Sequence, residues 1–520
     1  MKKIALVLLM AICSMPMTFA QADNSPQVTV ANGELQGTMD ANGIASYKGI
    51  PYAQPPVGNL RWAAPQPPDN WTGVRAADHF GPQAMQNPIY SDMQFRSAGK
   101  SEDCLYLNVW TPAKSAKAKL PVLVYFYGGG FNAGDGSEYR YDGESLAQRG
   151  IVTVTINYRL GIFGFFAHAE LTKESPNHSS GNYGLMDQHA ALVWVKKNIA
   201  AFGGDPKKVT IAGESAGSES VCAQIASPLS AGLFRGAIAE SGSVVGTFNP
   251  APLAIAEYTG AAFADKIKVA SLAELRKIPA DTLLKWSSGS HFQVCIDGYF
   301  FPESPQAIFL KGQQMHVALL GGWNSAEVDY HSFLGNDSTT VAVYKADLQK
   351  KYGDNATAIF NAYPAATDAD VMQAATNLAA DRFISFNTWK FLDLQSKTSD
   401  KPVYRYLFAR KRPAYADGKP NDKQMGAAHA SEIEYALGNL STNKVYGWTS
   451  DDYKVSSTTE SYFANFIKTG DPNGAGLPQW YSLQSAPPRV MLIDVDSHTE
   501  QPQNEARYQL LDSFTGNRTK

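Results

Sequence analysis

The chain has 520 residues, 44% hydrophobic and 18% charged, a balance that suits a globular protein with a sizeable core and excludes a disordered or fibrous chain. Lys plus Arg number 45 against 48 Asp plus Glu, a net charge of −3 with no basic run, so nucleic acid is not an expected partner. Four cysteines are too few for a disulfide framework.

The chain opens with Met1-Lys2-Lys3 and an apolar stretch from Ile4 to Phe19, which reads as a secretory leader cleaved after Ala20 or Ala22. The stretch is shorter than the ~20 residues a spanning helix needs. Export to the periplasm or the medium is therefore expected, with no membrane span in the mature chain. Cys13 goes with the leader, leaving Cys104, Cys222 and Cys295, an odd set in which at least one thiol stays free.

Pro121 to Phe126 reads as a buried strand that runs into Gly128-Gly129-Gly130. Ile151 to Asn157 is a second strand, and Asp187 to Ile199 repeats its apolar residues at helical spacing. Lys208 to Ala212 is a short strand, Ala216 to Ala226 a helix and Gly236 to Glu240 a strand again. Further strands are expected at Val317–Gly321, Val403–Phe408 and Val490–Ile493, with helix over Asp370–Phe383 and mainly helical segments near residues 250–295 and 340–395. Strand, helix and strand in succession imply an α/β fold. A large, mostly parallel central sheet flanked by helices, with helical insertions near one end, is the expectation. With no repeat and no low-complexity linker, residues 21–520 read as one domain.

Gly213-Glu214-Ser215-Ala216-Gly217 sits between the strand ending at Ala212 and the helix from Ala216. A serine on so sharp a strand-turn-helix presents its hydroxyl as a nucleophile. That hydroxyl needs a base to take its proton and oriented donors to hold the oxyanion that follows. Gly129, Gly130 and Ala216 are the candidate donors. In this architecture the order is nucleophile, acid, histidine, so the base should follow a late strand. His429, after Val403–Phe408, fits, and His498 is second. Glu327 heads the candidates for the acid that orients the histidine, with Asp329 and Asp297 as rivals. His429-Ala-Ser-Glu432 could also be part of a metal site, but no further His or Cys cluster supports one, and no metal or cofactor is expected.

Several segments resemble the type-B carboxylesterases and lipases, a family with the α/β-hydrolase fold that includes p-nitrobenzyl esterase-like enzymes, cholinesterases and the non-catalytic neuroligins. They are Lys48-Gly-Ile-Pro-Tyr-Ala53, Glu102-Asp-Cys-Leu-Tyr-Leu-Asn108, Tyr127-Gly-Gly-Gly-Phe131, Asn157-Tyr-Arg-Leu-Gly161, Phe202-Gly-Gly-Asp-Pro206, the Ser215 motif, Glu240-Ser-Gly-Ser243, Gly426-Ala-Ala-His-Ala-Ser-Glu432 and Thr469-Gly-Asp-Pro-Asn473. The resemblance covers nearly the whole mature chain. It implies a secreted serine carboxylesterase with the triad Ser215, Glu327 and His429, the oxyanion donors Gly129, Gly130 and Ala216, and a polar network of Glu214, Ser241 and Glu432 behind them. The partner implied is a small-molecule ester, and the assembly a monomer or small homo-oligomer.

The chain departs from the family pattern at three places. Ala326 and Val328 flank Glu327 where the family has Asp and Gly. Ala84 stands where the usual disulfide partner of Cys104 would be, so Cys104 is expected to be a free thiol. The loop from Ala84 to Cys104 has no tryptophan to hold a quaternary ammonium, which disfavours choline esters, with Tyr90 or Phe95 as partial substitutes. Tyr127, Phe131 and Trp323 are expected at an apolar entrance that suits short to medium acyl or aromatic esters. Amide or carbamate hydrolysis and lipase action would use the same triad, and a neuroligin-like interaction protein is the rival of another class.

Overall fold

Short runs of aliphatic and β-branched residues form strands buried on both faces, as covered parallel strands require. The computed structural model describes residues 25–515 except Lys423. The leader expected over residues 1–20, with its cleavage positions at Ala20 and Ala22, lies outside the described residues.

Eleven strands form one sheet. In chain order they are β1 (Thr38–Met39), β2 (Ala45–Pro51), β3 (Tyr106–Thr111), β4 (Leu120–Phe126), β5 (Val152–Ile156) and β6 (Gly204–Glu214). They continue with β7 (Gly236–Glu240), β8 (Ala318–Asn324), β9 (Val403–Phe408), β10 (Val490–Ile493) and β11 (His498–Glu500). Their order across the sheet is β11-β10-β9-β8-β7-β6-β4-β5-β3-β2-β1. Every pairing from β5 through β4, β6, β7, β8 and β9 to β10 is parallel. The edges are antiparallel, with β3, β2 and β1 on one side and β11 on the other. The mostly parallel sheet expected from the sequence is present, and the antiparallel edges extend it. A separate three-stranded sheet joins Gln27–Val30, Gly33–Gln36 and Val74–Ala76.

The helices that matter for the site are α1 (Tyr183–Asn198), α2 (Ala216–Ala226), α3 (Asp368–Ala380), α4 (Phe386–Thr398) and α5 (Ser450–Thr469). Between α3 and α4 the chain widens into a π-helical turn, Asp381–Ser385. Val209 and Ile211 on β6 and Ala237 and Ile238 on β7 are fully buried. Burying a Val or Ile side chain contributes roughly 1.5–3 kcal/mol, so such pairs hold the centre of the sheet rigid beneath the loops. Cys104, Cys222 and Cys295 are all buried free thiols. Among the described residues no helix is long and apolar enough to cross a membrane.

Because β4, β6, β7, β8 and β9 run parallel and adjacent, their carboxyl ends share one edge. The loops that leave those ends carry the candidate residues. Open α/β sheets build their ligand sites at that edge.

Candidate active site

The strand-turn-helix at Ser215 depends on how closely the backbones pass. A Cβ on Gly217 would lie 2.0 Å from the Phe126 carbonyl oxygen, and one on Gly213 would lie 2.5 Å from the Gly217 carbonyl carbon. Only glycine lets β6 end, turn and enter α2 against the end of β4. Ser215, at the crest, has φ 57° and ψ −123°, a region that a side chain enters only when its surroundings hold it there. Its N–H donates to the Glu240 carbonyl at 2.8 Å, which pins the turn to the end of β7. Ser215 lines a cavity of about 390 Å³.

The glycine run after β4 forms the next wall. Gly129 has φ +111°, and a Cβ there would lie 2.1 Å from the Ala133 carbonyl oxygen, so no other residue fits this loop. Gly129 and Gly130 line the same cavity as Ser215. Ala216 is the first residue of α2, where a helix leaves its N–H groups without intrahelical acceptors and its dipole favours negative charge.

His429 reaches the cavity from the loop after β9. Its Nδ1 lies 2.7 Å from Glu327 Oε2, and its N–H donates to the Glu327 carbonyl at 3.1 Å. Glu327 is buried, and its other oxygen, Oε1, accepts from Ser241 Oγ at 2.6 Å and from the Asn324 N–H at 2.7 Å. Ser241 Oγ also lies 3.3 Å from Glu432 Oε1, and Asn324 Nδ2 donates to Glu432 Oε2 at 2.6 Å. Ser241 therefore meets Glu327 directly, and Glu432 is joined to it through Ser241 and Asn324. Glu214 sits on the other side of the ring, with Oε1 3.2 Å from His429 Nε2. Ser215 and His429 face one cavity with no hydrogen bond between their side chains in this structure. Such contacts often tighten only around substrate.

Burial alone would disfavour the imidazolium, but the carboxylates of Glu214, Glu327 and Glu432 outweigh it and raise His429 to about 10. Burial raises Glu214 to about 8, with Glu432 and Glu327 adding to the rise and His429 opposing it. A histidine so surrounded is a strong proton acceptor, and its cation is stabilised on both nitrogens.

The other candidates lie elsewhere. Asp297 accepts from the Phe301 and Tyr299 N–H groups, Asp329 lies 3.2 Å from His331 Nδ1, and exposed His498 bonds the Asp496 carbonyl. Neither aspartate contacts His429. The expected aromatic entrance is placed differently. Tyr127 is buried and stacked on Tyr158 at 4.4 Å, Phe131 is buried against Phe165, and Trp323 borders a separate cavity. The cavity that Ser215 lines is walled instead by Tyr90, Tyr141, Phe248 and Phe383. Phe383 sets its edge against His429, with ring centroids 5.1 Å apart at 79°. It comes from the π-helical turn that follows Ala380, at the end of the segment expected as helix over Asp370–Phe383. Arg140 also reaches the cavity, held by Glu138 at 2.5 Å and Asp92 at 3.2 Å.

The model of the carboxylesterase family matches residues 24–511. The chain belongs to the carboxylesterase family. It is a carboxylic-ester hydrolase. Fumonisin B1 esterase of Sphingopyxis macrogoltabida is 36% identical over 479 residues, covering 89% of this chain and 85% of that protein. Para-nitrobenzyl esterase of Bacillus subtilis (strain 168) is 33% identical over 513 residues, covering 94% of this carboxylesterase and 98% of the relative. A solved structure of PNB esterase superposes with a TM-score of 0.79 at 33% identity, covering 93% of this carboxylesterase and 99% of that chain. Similarity of this extent carries the α/β-hydrolase fold across the whole sheet.

Proposed function

We propose that this carboxylesterase works through a Ser215–His429–Glu327 triad and an acyl-enzyme. One observation carries the reading. The 2.7 Å bond from Glu327 engages His429 Nδ1 and leaves Nε2 on the side of Glu214, 3.2 Å away, where Glu214, His429 and Ser215 on its strained turn line one cavity. With Nδ1 as the donor to Glu327, Nε2 is the basic nitrogen of the neutral ring.

His429 takes the Ser215 proton as Oγ attacks the ester carbonyl, and the charge that develops on the carbonyl oxygen is held by the N–H groups of Gly129, Gly130 and Ala216. The imidazolium hands its proton to the departing alkoxide. The alcohol leaves and an acyl group remains on Ser215. His429 next deprotonates water, which attacks the acyl carbonyl and frees the acid and the serine. Glu327 keeps the ring oriented and stabilises its cation throughout, while Ser241 and Asn324 fix Glu327. Export follows as a second proposal from the leader-like N-terminus.

The test is turnover of a p-nitrophenyl acyl ester. Ser215→Ala is expected to leave at most residual activity, and a rate near that of the wild type would overturn the assignment.

A further inference from the structure

Among the residues that line the catalytic cavity, Glu219 is used by nothing above. It lies on the first turn of α2, four residues after Ser215, with its N–H donating to the Ser215 carbonyl at 2.9 Å, and the two residues line the same cavity. Its carboxyl group accepts no hydrogen bond and joins no ion pair among the described residues. Burial raises it to about 8, and nearby His429 opposes the rise. A carboxyl group kept in a half-apolar cavity without a protein partner is costly unless something else donates to it.

The other charges around the cavity are already engaged. Arg140 is held by Glu138 and Asp92, so it offers no free cation to an incoming anion. Glu214 faces His429. Glu219 is left as the ionisable group open to substrate, and its ionised form is negative.

We propose that Glu219 determines specificity by selecting esters that carry a primary or secondary ammonium within roughly 6 Å of the scissile carbonyl, the span between side chains one helical turn apart. The ammonium donates an N–H to the Glu219 carboxylate while Ser215 attacks the carbonyl. This differs from holding a quaternary ammonium on an aromatic face, because recognition needs an N–H donor. An arriving cation also favours the ionised carboxyl group, so binding and charge reinforce each other. The inference rests on the reading of Ser215 as the nucleophile.

The test compares kcat/KM for four p-nitrophenyl esters of matched acyl length, ending in a primary ammonium, a trimethylammonium, a neutral methyl group or a carboxylate, with wild type and Glu219→Gln. In the wild type the ammonium ester should exceed the neutral one by roughly 10- to 100-fold, mainly through KM, as a charge-assisted hydrogen bond allows. The carboxylate ester should be the poorest. Glu219→Gln should bring the ammonium-to-neutral ratio close to one, and Glu219→Asp should keep part of it. A wild-type ratio near one, a ratio unchanged in Glu219→Gln, or a trimethylammonium ester preferred over the primary one would each overturn the proposal. The wild-type ratio decides even if a variant fails to fold. If Ser215→Ala hydrolyses the neutral ester at the wild-type rate, the nucleophile reading falls and takes this proposal with it. Serine-dependent turnover without ammonium preference removes the Glu219 proposal alone.

Discussion

Glu327 and Glu240 sit at the carboxyl ends of neighbouring strands, both buried, in surroundings of opposite character. The region around Glu327 is rich in donors: Ser241 Oγ, the Asn324 N–H and His429 all reach its two oxygens. The region around Glu240 supplies none, and both of its carboxyl oxygens are buried without a hydrogen bond. Burial pushes Glu240 well above the usual carboxylate range, and Glu432 and Glu214 push it further. Depth is the same in both regions, and the donors differ. One carboxyl group is bonded to the His429 ring, and the other is pushed towards its protonated form.

The sharpest way to break this comparison is to take the charge from Glu327. Glu327→Gln should lower kcat by about 10³–10⁴-fold, because an amide neither stabilises the imidazolium nor fixes the tautomer. The loss is read from steady-state hydrolysis of a p-nitrophenyl ester. Ser241→Ala removes one donor and leaves the carboxylate partly unsatisfied, a cost of roughly 1–3 kcal/mol, and a drop of about 10- to 100-fold in kcat with KM little changed is expected. A loss as large as that of Glu327→Gln would mean that Ser241 does more than hold the acid.

The carboxylates around His429 also set a pH dependence. A base must be neutral to act, so activity falls as the pH drops through the pKa of His429. Glu214, Glu327 and Glu432 raise that pKa, which puts the acid limb above the ordinary histidine range. Glu214→Gln removes a raising charge and should move the limb of kcat/KM to lower pH by about one unit. A limb that stays in place or moves up would contradict the part given to Glu214.

Glu240 gives the smallest effect, on stability. Its folded pKa is raised above the ordinary 4.5, so the folded chain keeps a proton that the unfolded chain loses. Its stabilising contribution is complete below about pH 4.5 and is lost as the pH rises towards the folded pKa, with a slope of about 1.4 kcal/mol per pH unit in that window. Glu240→Gln should therefore flatten the decline in stability between pH 5 and 9, measured by urea unfolding. An unchanged slope would show that Glu240 is ionised or solvated in the folded protein.

Much of the scaffold was legible because each element answered to one strong local pattern. Ala216–Ala226, Gly236–Glu240, Val403–Phe408 and Val490–Ile493 have the bounds that periodicity suggests. β6 runs from Gly204 to Glu214, well beyond Lys208–Ala212, because a register shift between Gly204 and Val209 lets the strand continue past Pro206. The antiparallel strand β2, next to the edge, escaped notice because a bulge between Tyr47 and Ile50 breaks its alternation. At the site, the glycine turns and the histidine loop were readable, since close backbone passage leaves few residue choices. Most of the cavity wall was not. Tyr90 stood out in its loop, but Phe248 and Phe383 come from a 3₁₀ turn and a π-helical turn whose positions follow from tertiary packing. Glu219 was hidden in plain view, four residues from Ser215, where a helical charge ordinarily faces solvent.

The most direct test of the central claim is covalent labelling with an alkyl fluorophosphonate, followed by peptide mass spectrometry. The account predicts one phosphonyl adduct per chain on Ser215, formed slowly in Glu327→Gln and absent from Ser215→Ala. A stoichiometric adduct on any other residue, or full inhibition of the wild type without modification of Ser215, would contradict it.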